Sequence, residues 1–204
     1  MIALITAAML ALLRTCTPNV GPVTMAAIVQ HESGWNAYAI GDNTTRRSYY
    51  PKSQSEAAAV ATSLLAQGHN IDAGIAQINS DNWREYGLNA LSVFDACTNL
   101  SVGGKIIWGD YWGAAHVFGP GQLALWHALQ AYNSGNYYAA YGYAKAVWAT
   151  GIQIAFSLPT SVPAMPSKKQ RIPIQAVPYR PAEATVQTAS LLVTRGADRW
   201  STKR

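Results

Sequence analysis

The chain has 204 residues, half of them apolar and only 12% charged. That is enough for one ordinary core plus an appendage, and it excludes a main body too polar to fold. The net charge of +5 is uneven: residues 1–160 carry 7 Lys/Arg against 8 Asp/Glu, whereas residues 161–204 carry 8 against 2. The basic character therefore belongs to the C-terminal stretch, which reads either as a solvated tail or as a contact for an acidic surface, anionic lipid or cell-wall polymer.

The opening "MIALITAAMLALL", residues 1–13, is apolar throughout. It resembles the middle of a signal peptide but lacks a positive start and a small-residue cleavage site. It is too short to span a bilayer as a helix. A shortened export signal stays open; the preferred reading is a first core helix over 2–14, packed through Ala3, Leu4, Ala7, Ala8 and Ala11. A second helix runs from Pro22, at a first-turn position, to Ser33. Residues 38–51, "YAIGDNTTRRSYYP", mix turn residues with β-formers and predict a small hairpin or a long flap over a groove. A third helix covers 54–67, where Ser53 and Glu56 make an S-x-x-E capping box. A short helix near 81–86 follows, then a long one over 98–115 and two more over 120–132 and 136–149.

After Ser157 the composition changes. Six of the ten prolines lie between Pro159 and Pro181, among basic and small residues. Such a stretch buries little and reads as a linker or disordered tail, with "ATVQTASLLV" at 184–193 as one weak docking element. The expectation is a mainly α (α+β) compact domain over 1–157 and a Pro-rich basic tail over 158–204. The 7 Trp and 11 Tyr against 3 Phe suit a wet, sugar-like groove, or plain structural burial.

Three stretches carry candidate chemistry. In "VTMAAIVQHESGWN", Met25, Ile28 and Val29 form one helical stripe, and the next position on it is Glu32. A carboxyl placed on a dry stripe is penalised in its charged form, so a raised pKa is expected. Such a group can donate a proton to a leaving oxygen. The plainer reading is a Glu that reaches out to cap or pair at the helix end. A zinc motif H-E-x-x-H fails, because the second His would have to be Trp35. In "AGIAQINSDNW", Gln77 and Asn79 alternate with apolar residues after Gly74; amides donate and accept at once, which suits sugar hydroxyls, or simply a capped turn. In "LQAYNSGNYY", Leu125, Ala128, Leu129 and Tyr132 continue one helical face, so Tyr132 and Asn133 stand at a helix end, with Asn133 or Gly135 in the left-handed conformation. Cys16 and Cys97 lack metal spacing. They form one disulfide in an exported protein, or two free thiols in a cytosolic one.

Taken together, E-S-x-x-N, then G-x-x-Q-I-N, then A-Y-N-S-G resemble the catalytic domain of the soluble lytic transglycosylases, lysozyme-like enzymes that cut peptidoglycan. "AIGDN" and "FDACTNLSVGGKII" are similar to the subfamily encoded with type IV secretion and conjugation systems. The resemblance covers about residues 15–148. The chain departs from the usual pattern at Ala37, where Pro is common, at Ala76, where Met is common, and at the bulky Trp35.

The resemblance implies a lysozyme-like fold with Glu32 as the single acid and base. Ser33 would support Glu32 or bind beside it, Gln77 and Asn79 would line the saccharide groove, Tyr132 would hydrogen-bond near Glu32, and Asn133 would bind substrate. The substrate would be the glycan strand of peptidoglycan, cut to a 1,6-anhydromuramyl product. Cys16 and Cys97 become a disulfide, because the substrate lies in the periplasm. No cofactor and no metal are called for, no nucleic-acid module is present in residues 1–157, and a monomer is expected. Type IV secretion proteins are the expected partners of the tail. A hydrolase of goose-type or phage-lysozyme kind is the alternative chemistry, with Asp42 on the flap as the second carboxylate to check. A third reading makes the chain an assembly component with secondary muralytic activity.

Overall fold

The computed structural model describes residues 6–157. The expected tail with its element at 184–193, and Ala3 and Leu4, lie outside the described residues. Among the described residues there are six helices: α1 (Ala7–Cys16), α2 (Pro22–Glu32), α3 (Gln54–Ala66), α4 (Ala96–Phe118), α5 (Gln122–Ser134) and α6 (Tyr141–Ser157). Four short strands, β1 (Ile40–Asp42), β2 (Arg47–Tyr49), β3 (Ile71–Ala73) and β4 (Ile78–Asn79), form one antiparallel sheet in the order β2-β1-β3-β4. The fold is mainly α with a small sheet.

The expected hairpin over 38–51 is half of that sheet. Its first strand also pairs with β3, placing Ile40 opposite Ala73 and Asp42 opposite Ile71. The sequence marks the second hairpin, β3–β4, only as a turn of amides. Strands of two and three residues show too little alternation to reveal themselves.

The first helix packs differently from the expectation. Ala7, Ala8 and Ala11 are exposed, and Leu10, Leu13 and Cys16 face the core. Turning the larger side chains inward buries more apolar area than an alanine face does. A disulfide between Cys16 and Cys97 ties the end of α1 to the first turn of α4. No helix among the described residues is long and apolar enough to cross a membrane.

Other boundaries shift for local reasons. Half of the capping box at α3 forms: Ser53 accepts the Glu56 N–H, but the Glu56 carboxylate takes the Lys52 N–H instead of closing the box. The short helix near 81–86 is a single 3-10 turn, Ser80–Asn82, capped by the Asn79 side chain. An additional 3-10 turn spans Ser92–Phe94. The long helix begins earlier than expected, because Asp95 accepts the Thr98 N–H and caps it, and it runs on to Phe118. The last helix starts later, because the Asn136 side chain takes the Tyr138 N–H and holds the preceding segment as a turn.

The core is continuous. Leu13, Met25, Ile28, Val29, Ile71, Leu100 and Leu129 are all at 1% exposure or less. The α2 helix packs against α6, and α4 packs along α5.

Candidate active site

The helix α2 begins with Pro22 at its first position and ends at Glu32. Met25, Ile28 and Val29 are fully buried, so the stripe expected from the sequence is the core face of the helix. Glu32, the next position on it, is half-buried. Its Oε1 accepts a hydrogen bond of 2.7 Å from the Tyr143 hydroxyl on α6. The neighbouring His31 clamps the two helices, with Nε2 at 2.8 Å from Thr150 Oγ1 and its ring edge-on to Tyr143.

The chain leaves α2 under strain. Gly34 has φ +59° and Trp35 φ +72°, both left-handed. Trp35 pays about 1–3 kcal/mol for that conformation as a bulky residue. Its indole N–H is buried without a hydrogen-bond partner. Gln77 is left-handed as well, at φ +49°. Trp35 follows the end of α2 and Gln77 lies in the β3–β4 turn, while the third such residue, Arg46 at φ +59°, lies in the β1–β2 turn.

That turn, residues 74–77, faces the end of α2 through Ser33. The Ser33 hydroxyl donates to the Ile75 carbonyl at 2.7 Å. Tyr132, buried on α5, donates to the next carbonyl, Ala76, at 2.9 Å. Helix α4 comes close enough that a Cβ on Gly103 would lie 2.8 Å from Ala76 Cβ and 3.1 Å from the Tyr132 hydroxyl. Burial first, and then the charge of Glu32, hold the phenols of both Tyr132 and Tyr143 well above the usual value. Both therefore remain hydroxyl donors over any working pH. Asp110 and Asp72 add smaller effects in the same direction at Tyr132.

Gln77 spends its Nε2 on the carbonyls of Ala39 and Gly74, at 3.0 and 2.7 Å. A Cβ on Gly41 would come within 3.3 Å of Gln77 Oε1, so the glycine leaves room for it. Asn79 and Asp72 sit opposite each other on β4 and β3. Asn79 donates to Asp72 Oδ1 at 2.9 Å and exchanges hydrogen bonds with Asn70. Asn43 reaches Asp72 Oδ2 and Asn70 Oδ1. One face of the sheet is thus an amide-rich network. Asn133 follows Tyr132 in α5 and is half-buried, and Gly135, at φ +69°, closes that helix.

Asp42 does not approach from the flap. Its side chain is buried and takes the N–H groups of Thr44 and Thr45, the Thr45 hydroxyl and His69 Nδ1. Burial alone would raise its pKa; the hydrogen bonds outweigh this and lower it. The residue closes the β1–β2 turn.

Tyr143 is the contact that no motif marked. It is separated from Glu32 by 111 positions, and only a helical face running Tyr143, Val147, Thr150 and Ile154 hints at its direction. A cleft of about 290 Å³ between α2, α5 and α6, lined by Val23, Ala27, Leu125, Val147 and Ile152, includes neither Glu32 nor the sheet and is apolar.

Helices gathered about one core, with a short antiparallel sheet beside an acid that ends a helix, define a lysozyme-like domain. Residues 9–144, well over half of the chain, match the family model of the transglycosylase SLT domain, and the chain belongs to that family. It is 46% identical over 130 residues to the type IV secretion system protein virB1 of Brucella abortus biovar 1 (strain 9-941), covering 63% of this chain and 54% of that protein. It is 36% identical over 124 residues to protein virB1 of Agrobacterium fabrum, covering 61% and 50%, and 35% identical over 136 residues to protein virB1 of Rhizobium radiobacter, covering 66% and 56%. The chain thus spans about half the length of the curated relatives it matches. No solved structure matches it.

Proposed function

We propose that the chain is a peptidoglycan lytic transglycosylase, exported to the periplasm, that opens the cell wall locally for a type IV secretion or conjugation system. The observation that carries the reading is Glu32: a half-buried acid ending α2, hydrogen-bonded by Tyr143 and standing inside a transglycosylase SLT domain. The names of the relatives support the secretion context. The disulfide between Cys16 and Cys97 fits an oxidising compartment.

Glu32 first protonates the glycosidic oxygen between N-acetylmuramic acid and N-acetylglucosamine as the C1–O bond breaks. The carboxylate then takes the proton of the C6 hydroxyl of the same muramyl residue, and that oxygen bonds to C1. The product is a 1,6-anhydro sugar, no water is consumed, and Glu32 regains its proton. One carboxyl suffices, whereas a hydrolase needs a second one as nucleophile or base. Tyr143 stabilises the carboxylate that appears between the two steps. Ser33 and Tyr132 hold the turn that faces Glu32, Gln77 and Asn79 line the groove along the amide face, and Asn133 contacts the glycan.

The test is digestion of purified peptidoglycan with analysis of the muropeptides by mass spectrometry. Anhydro ends are expected. Reducing ends, heavier by one water per cut, would identify a goose-type or phage-like hydrolase. Glu32→Gln keeps the shape of the side chain and removes its proton; it should fold and lose a factor of roughly 100 or more in rate. Residues 1–157 are proposed as the catalytic unit, and residues 158–204 as the part that recruits secretion proteins. Deleting 158–204 should then spare cleavage and abolish recruitment.

A further inference from the structure

The β3–β4 turn is gripped from several sides. Ser33 and Tyr132 hold the carbonyls of Ile75 and Ala76. The remaining grip comes from Asn99 on α4, within the stretch FDACTNLSVGGKII and given no role by the resemblance. Its Oδ1 accepts the Ala76 N–H at 2.7 Å, and its Nδ2 donates to the carbonyls of Ala73 at 2.9 Å and Val93 at 2.8 Å. Asn99 is completely buried.

The chemistry is specific to an amide. Two carbonyls need donors and one N–H needs an acceptor, on a short side chain. Asp offers no donor when ionised, and an apolar residue would remove all three of these hydrogen bonds. The turn is shaped around this contact. Gly74 has φ +82°, and a Cβ there would come to 2.3 Å from Asn99 Nδ2 and 2.7 Å from the Val93 carbonyl oxygen. One helical turn along α4, Gly103 lets Ala76 approach. Asn99 and Gly103 thus present one face of α4 to the same residue, the first by hydrogen bonding and the second by making room.

We infer that Asn99 is a positioning residue for Glu32, fixing the backbone of residues 73–76 and, through the carbonyls of Ile75 and Ala76, the placement of Ser33 and Tyr132 around the acid. The inference rests on the transglycosylase reading. Asn99 needs no contact with substrate to act. A shift of the turn by a fraction of an ångström moves the groups that surround Glu32, and misplacement on the ångström scale costs up to about 100-fold in rate.

The experiment compares Asn99→Asp and Asn99→Ala with Leu10→Ala, a destabilising change on α1 that takes no part in the turn. Rates are measured well below each melting temperature, per folded molecule, on soluble glycan fragments of peptidoglycan. The expected result is a kcat lower by about tenfold or more in both Asn99 variants, with KM nearly unchanged. Leu10→Ala should melt lower and keep the wild-type kcat. Wild-type kcat per folded molecule in the Asn99 variants overturns the inference, because the residue then serves stability alone. Should neither variant fold, amide hydrogen exchange in the wild-type protein decides. An Ala76 N–H as slow as the middle of α4 supports the brace, and one as fast as an exposed loop overturns it. A wild-type chain as inert as Glu32→Gln sinks the transglycosylase reading itself, which separates that failure from this one.

Discussion

Removing the Tyr143 hydroxyl probes the surroundings of the acid with little change in packing. Tyr143→Phe keeps the ring that lies edge-on to His31 at 6.4 Å between centroids. It deletes one hydrogen bond of 2.7 Å to Glu32 Oε1. A hydrogen bond to an ionised group is worth about 1.5–3 kcal/mol. Glu32 is half-buried, so solvent screens part of this, and the lower end, about 1.5 kcal/mol, is the figure to use; it corresponds to roughly tenfold in rate. The bond favours the carboxylate over the acid. Without it, the carboxylate that forms as the proton leaves is less stabilised, so kcat falls about tenfold. The assay is release of muropeptides from purified peptidoglycan by wild type and variant, with melting curves as the control for folding. An unchanged kcat in a variant that melts like wild type would refute the role given to Tyr143.

Gly103→Ala should cost about 1–3 kcal/mol by overpacking, because the new methyl meets Ala76 Cβ at 2.8 Å and the Met25 Cε at 3.2 Å; chemical denaturation at unchanged m-value would record it, and wild-type stability would show that α4 can move away from the turn. The hydrogen bonds from Thr45, His69 and Thr44 leave the Asp42 carboxyl, net of its burial, below its ordinary value of 3.8. Its contribution is therefore complete above that value and is lost as the pH falls through the folded pKa, so wild type should lose melting temperature more steeply than Asp42→Asn in strong acid. Parallel melting curves for the two would count against this account of the turn. Reduction of Cys16–Cys97 opens a cross-link between residues 81 positions apart. Chain entropy sets a ceiling of about 4.5 kcal/mol on the loss, to be read as the difference in unfolding free energy with and without reductant; no difference would mean that the unfolded chain is already compact around this link.

The helices were legible because their signals are local. Pro22 at a first position, Ser53 at a cap and the 3.6-residue stripe of Met25, Ile28 and Val29 each act within a turn or two. The same stripe marks Glu32 as a charge in a dry row, which makes it a candidate acid from the sequence alone. The opening helix shows the limit of that method. A run with no polar residue gives no angular mark, so alanines and leucines offered equally apolar faces, and burial of the larger side chains decided between them. Asp42 failed as a second carboxyl for a related reason: a hairpin sequence shows that a charge lies near a turn, not that Thr45 and His69 consume it. Tyr143, which bonds Glu32, and Asn99, which braces the neighbouring turn, are the least legible. Tyr143 lies 111 positions away, and Asn99 reaches Ala76 across 23, so no periodic signal links them. Their positions follow from how α4 and α6 pack on the core, and packing is a property of the whole chain. Glu32 stands out on its own helix, whereas the groups proposed to serve it, Tyr143 and Asn99, are brought toward it only by how α4 and α6 pack.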